Sequence, residues 1–164
     1  MGEAHDEVDR IVEAWRRERP DLDFSPLLVF SRVARIAKLV DRAKRDAFAE
    51  SELEAWEFDV LAALRREGPP YTLTPKALLA QTLVSSGTMT NRIDRLVTRG
   101  LVERRADPHD GRAVLVVMTA SGLDRVDAAI ARLVEAEGEL IRALPATERS
   151  RLGGLLRKLS LGLD

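Results

Sequence analysis

The chain of 164 residues contains no cysteine, which excludes disulfides, thiolate nucleophiles, thiolate zinc sites and cysteine-based redox sensing together. It has only two histidines, His5 and His109, far apart in sequence. They give a transition-metal site or a histidine-based triad little to build on, so no metal and no cofactor are expected. No run approaches 18 uncharged apolar residues, which excludes a membrane-spanning helix. The opening ten residues are acidic and polar rather than a basic segment followed by an apolar one, so a cytoplasmic protein is expected. Net charge is also lacking, at −1, and supplies no bulk attraction for a polyanion. What the chain does have is 45% apolar and 32% charged residues, a globular composition long enough for one well-buried core.

The charge is unevenly spread. From Thr74 to Arg112 there are seven basic residues against four acidic ones, giving +3 there and −4 over the rest. A basic middle on an acidic body suits a local anionic partner, although arginine is common throughout this chain.

Periodicity predicts mostly helices. Val8, Ile11, Val12 and Trp15 recur at helical spacing, and Pro20 closes that element. Ser25-Pro26 is a helix start that leads to about Ala49. Ser51 with Glu54 fits a capping box for a third helix ending near Glu67, before Gly68-Pro69-Pro70. Thr74-Pro75 opens a short fourth helix through about Thr82, and Ser85 or Ser86 caps a fifth that Gly100 ends. The period then changes. Leu101–Arg105 and Ala113–Met118 read as two strands of a hairpin. A long helix begins near Thr119 and carries an apolar stripe to Leu144, Pro145 breaks it, and a last helix carries Leu152, Leu155, Leu156 and Leu159.

The expected fold is therefore mainly α with a small β-wing: a winged helix-turn-helix within a helical homodimer. Residues 1–50 form N-terminal helices, 51–119 the winged module and 120–164 C-terminal helices, all in one compact unit. The terminal apolar stripes exceed what a small winged module needs, which points to a dimer interface built from both termini. Ordinary packing within the chain is the alternative.

In the fifth helix, Met89, Ile93 and Leu96 share one face at 100° per residue. Thr88, Asn91, Arg95 and Arg99 lie nearly opposite, and Arg92 falls on the boundary. Arginine can pair with guanine, asparagine with adenine, and threonine can touch the thymine methyl in a major groove. Ser85, Ser86 and Lys76 are candidates for phosphate contacts. Asp110 and Arg112, two apart in the loop between the strands, can present an acid-held arginine to a minor groove. The plainer reading of that pair is a turn-forming aspartate in a charged loop. No nucleophile–base pair, metal set or phosphate loop is visible, so an enzyme is not expected.

The run from Leu78 to Gly122 resembles the winged helix of the MarR family of bacterial transcription regulators. The matching residues are Arg95-Leu96-x-x-Arg99-Gly100-Leu101-Val102, Arg104 or Arg105, Asp107-x-x-Asp110-x-Arg112 and Met118-Thr119-x-x-Gly122, with Trp56-x-Phe58-x-Val60-Leu61 in the third helix. The resemblance implies a homodimer joined through its terminal helices. It further implies binding to a pseudo-palindromic double-stranded operator, usually as a repressor released by a small ligand.

The added N-terminal helix with Trp15 is similar to that of the urate-responsive subfamily, whose ligand site would match Trp15, Asp59, Arg92 and Arg104 here. An anionic planar effector fits arginine plus tryptophan, with urate first and a polycarboxylate such as aconitate or citrate second. Asp59 is expected at the edge of an apolar face, where an unpaired acid is costly, and so beside an arginine. The alternatives are an aspartate–arginine pair that merely locks the module to its scaffold, and a DNA-binding or architectural protein with no effector.

Overall fold

A computed structural model describes residues 5–82, 85–108 and 113–163. The chain divides into two compact units, Met1–Arg42 and Ala43–Asp164, so the boundary falls inside the second helix rather than near residue 50.

The N-terminal unit holds α1, Glu7–Glu18, and the first part of α2, Ser25–Glu50. Helix α1 starts on a capping box. The Asp6 carboxylate accepts from the Asp9 amide and the Asp9 carboxylate from the Asp6 amide, both at 3.0 Å. Val8 and Val12, one turn apart, are its buried residues. Arg32 of α2 reaches back to both carboxylates, at 2.9 Å to Asp6 and 2.7 Å to Asp9. Trp15 is not a core residue: it is 49% exposed and stacks on Phe24 with ring centroids 6.0 Å apart.

The second unit begins with the end of α2, where Ala47 and Phe48 are buried. It continues with α3 Ala55–Glu67, β1 Thr72–Leu73, α4 Pro75–Thr82, α5 Ser86–Thr98, β2 Val102–Ala106, β3 Val114–Met118, α6 Ala120–Leu140 and α7 Ala146–Leu161. The sheet is antiparallel in the order β1-β3-β2, with Val102 opposite Met118 and Thr72 opposite Val117. The core is continuous through Val60, Leu61 and Leu64 of α3, Leu78 of α4, Met89, Ile93 and Leu96 of α5, the strands, and Val126 and Ala129 of α6.

Three local expectations change. Ser51 does not cap α3: it is buried, its hydroxyl donating to the Ala47 carbonyl and accepting from Arg132 at 2.9 Å. Glu54 takes the N-cap position instead, its amide bonded to Glu57. Strand β1 has no counterpart in the sequence reading, because two residues leave no alternation to detect. Helix α6 ends at Leu140, followed by turn residues, rather than running on to Leu144.

Two joints orient α5. Gly100, at φ +68°, takes the left-handed conformation that ends the helix. Thr119 then ties the start of α6 to that turn. Its hydroxyl donates to the Gly100 carbonyl at 2.7 Å and accepts from the Gly122 amide at 3.1 Å. Gly122 lies so close that a Cβ there would meet the Leu101 carbonyl oxygen at 2.1 Å.

Candidate nucleic-acid interface

Helix α5 presents opposite chemistries on its two sides. Met89, Ile93 and Leu96 are each at most 2% exposed, and this anchors the helix in the core. Thr88, Asn91 and Arg95 are exposed, and Arg92 is half-buried, as expected for its boundary position. Ser85 is the N-cap. Its hydroxyl accepts from the Thr88 amide at 3.3 Å and lies 2.9 Å from the Thr88 hydroxyl. Ser86 and Lys76 are exposed at the start of α5 and in the first turn of α4. Asp110 and Arg112 lie outside the described residues.

The arginines of α5 have different surroundings. Arg95 donates to Glu54 at 2.8 Å and lies 4.6 Å from the Trp56 ring centroid. Arg92 lies 5.6 Å from the same centroid. Together with Gly87, Thr88 and Asn91, these three side chains line an open cleft of about 440 Å³. The Glu54 carboxyl is held below its ordinary range, first by the Trp56 indole hydrogen bond and then by the Arg95 charge.

Arg99 is exposed at the end of α5, as the outward-facing reading expects, and it also meets residues at and before the start of α3. Its guanidinium pairs with Glu57 and donates to the Glu52 carbonyl at 2.7 Å. Glu57 is wholly buried, so its charge requires a cation, and Arg99 is the residue at the end of α5 that reaches it. Glu57 was not recognised in the sequence, although the signal was there. It lies three and four residues before the core residues Val60 and Leu61, and so on their face.

Asp59 corrects the expectation of an aspartate beside an arginine. It is exposed, and it has no hydrogen bond or ion pair among the described residues. Water solvates its carboxylate, so the expected arginine partner is not required. Arg104, on β2, is exposed and pairs with Asp94 of α5. Strand β2 and helix α5 are thereby joined by an ion pair. Of the proposed ligand quartet, Arg92 and Arg104 are thus both attached to the α5 region, Asp59 is on α3, and Trp15 belongs to the N-terminal unit.

Comparison with known proteins places this arrangement. The profile of the MarR family matches residues 51–113. The transcriptional regulator PecS of Dickeya dadantii is 36% identical over 93% of this chain and 92% of its own length. The multiple antibiotic resistance protein MarR of Escherichia coli is 34% identical over 73% of this chain and 81% of its own. The structure of a mutant E. coli MarR complexed with operator DNA superimposes with a TM-score of 0.66 at 28% identity, covering 84% of this chain and 99% of that one. PecS, like the repressor NicR of Pseudomonas putida, 34% identical over 67% of this chain and 68% of its own length, is a regulator of transcription rather than an enzyme. With a matched winged helix and a regulator related over nearly its full length, the chain belongs to the MarR family of winged helix-turn-helix transcription regulators.

Proposed function

We propose that the chain is a cytoplasmic homodimeric repressor that reads a pseudo-palindromic operator with α5 and is released by a small anionic metabolite. The observation that carries the DNA reading is the exposed row Thr88, Asn91 and Arg95 on a helix whose other face is locked into the core. Arg95, Asn91 and Thr88 read bases. Ser86, Lys76 and the amide-rich N-terminus of α5 contact phosphate, as does Ser85 when its capping geometry permits. Arg112, with Asp110, enters the minor groove beside the site. The related E. coli protein held on operator DNA supports the reading.

The dimer reading is supported by α7. None of its residues is buried, yet Leu152, Leu155, Leu156 and Leu159 follow one another at helical spacing. Val29, Phe30, Val33 and Ile36 of α2 are exposed as well. Apolar stripes of this length call for a partner surface.

The effector reading rests on Arg92 and Arg104, with Asp59 and Trp15 as the remaining members of the quartet. An anion that recruits Arg92 away from Trp56 and Arg104 away from Asp94 disturbs both the recognition helix and the wing strand. Urate is the first candidate and a polycarboxylate such as aconitate or citrate the second. A ligand-independent DNA-binding protein is the rival reading. Operator affinity measured with and without each compound, in the parent and in Arg104→Ala, tests the pair. Release by urate or polycarboxylate that is lost in Arg104→Ala is expected. Release that persists unchanged in the variant moves the effector site elsewhere, and no release by any anion favours the rival. A flat dependence of affinity on salt would count against DNA as the partner altogether.

A further inference from the structure

We infer that Glu54 and Trp56, at the start of α3, are positioning residues that set the base specificity of Arg95. The inference rests on the major-groove reading of α5 proposed above. The two oxygens of the Glu54 carboxylate are divided between two donors. Oε2 accepts from the Trp56 indole Nε1 at 2.6 Å, and Oε1 accepts from Arg95 Nη2 at 2.8 Å. The Arg95 guanidinium carbon in turn lies 4.6 Å from the Trp56 ring centroid. The guanidinium is therefore held by the carboxylate along one N–H direction and by the aromatic ring through a cation–π contact. The three groups close a triangle, and each side of it is a directional or charge-assisted contact.

This arrangement leaves the arginine able to read. A guanidinium has five N–H donors, and Glu54 engages one of them. The remainder suffices for the paired contact to guanine O6 and N7. All three side chains are partly exposed, and Arg95 lines the same open cleft as Thr88 and Asn91. The triangle therefore adjoins the exposed face of α5. An arginine on a free four-bond side chain would collect any nearby phosphate with little regard to sequence. One already paired with a carboxylate gains little from a phosphate, because its charge is offset. It gains from guanine, whose acceptors match the fork geometry. Glu54 thus lowers non-specific attraction while the triangle favours one orientation of the fork. The amide at the N-cap of α3 is answered by Glu57, at 2.9 Å.

The test uses the full-length protein, a duplex selected from a random library, and a scrambled duplex of the same length. Each base pair of the selected site is varied in turn for the parent, Arg95→Ala, Glu54→Gln and Trp56→Phe, and each protein's melting temperature is recorded. Arg95→Ala identifies the base pair that Arg95 reads. Glu54→Gln is expected to reduce discrimination at that same base pair about five- to tenfold, a part of the ~5- to 150-fold that one paired arginine contact distinguishes. It is expected to bind the scrambled duplex as tightly as the parent or up to a few-fold more tightly. Trp56→Phe keeps a smaller aromatic face for the guanidinium and removes the indole donor, so a smaller loss at the same position is expected. A uniform loss across all base pairs, accompanied by a lower melting temperature, would overturn the inference and leave the triangle a structural contact. So would an unchanged profile in Glu54→Gln when Arg95→Ala alters it. If Arg95→Ala itself changes no base preference, it is the major-groove reading of α5 that fails.

Discussion

Replacing Arg99 by alanine should destabilise the winged unit rather than weaken a DNA contact. Glu57 is wholly buried in α3, and one of its oxygens, Oε1, has no hydrogen-bond partner among the described residues. The other oxygen accepts from the Glu54 amide and from Arg99. Arg99→Ala would leave that carboxylate with a single backbone donor. Stripping one partner from a buried ion pair costs about 3–5 kcal/mol. The Arg99 side chain is 35% exposed, so solvent screens part of the attraction and water can enter the vacated space. A loss of about 2–3 kcal/mol is the discounted figure. For a chain of this size that corresponds to a melting temperature lower by ~5–10 °C. Urea and thermal unfolding at one fixed protomer concentration are the assays, because an assembled protein's apparent stability depends on concentration. Glu57→Leu combined with Arg99→Leu should recover most of the loss, since an apolar pair of similar size removes the desolvation penalty of both charges. Arg99→Ala that unfolds like the parent but no longer binds operator would refute this reasoning and restore Arg99 as a DNA contact.

Three further outcomes follow from the geometry. Gly122→Ala should cost about 3 kcal/mol in unfolding measurements, because the new Cβ meets a backbone carbonyl, Leu101 O, at 2.1 Å and neither strand nor helix can yield cheaply; a neutral substitution would show that α6 can shift freely. Asp9 is held below its ordinary carboxylate range first by Arg32 and then by the Asp6 amide, and Asp6 is lowered first by the Asp9 amide and also by Arg32. A lowered folded-state pKa gives stability that is present above the ordinary carboxylate value and lost as pH falls below ~4. Protection of the α1 amides, taken relative to the intrinsic exchange rate at each pH, should therefore fall on acidification, and an identical pH response in Arg32→Ala would remove the clamp as its cause. Truncation before Ala146 removes a helix that buries none of its own residues, so it should leave the winged unit folded while sedimentation shows a shift from dimer to monomer; a truncated protein that remains dimeric would place the interface elsewhere.

The sequence by itself determined the features that depend on neighbours within one helical turn or one hairpin. Ser85 caps α5, Thr119 caps α6, Pro75 opens α4, and the apolar phase of Met89, Ile93 and Leu96 sets which side of α5 is buried. These are answered locally, since a cap or a helical face is defined by residues three or four apart. Partner choice was not legible. Arg95 finds Glu54 across 41 residues and Arg99 finds Glu57 across 42, and nothing in the spacing of either pair announces the contact. Arg95 and Arg99 share one face of an ideal helix, yet the fold sends the second toward a buried carboxylate and leaves the first at the open cleft. The same holds for Asp59, whose helical phase puts it at the edge of an apolar face beside an expected arginine and whose actual neighbours leave it exposed and unpaired among the described residues. Ser51 had the residue type of a cap, but the packing of α6 gave its hydroxyl to Arg132. Strand β1 exists because β3 offers an unpaired edge to Thr72 and Leu73. In each case the tertiary structure decided, because the free energy of a charged or polar group depends on what lies around it in space, and a one-dimensional pattern records only what lies beside it in the chain.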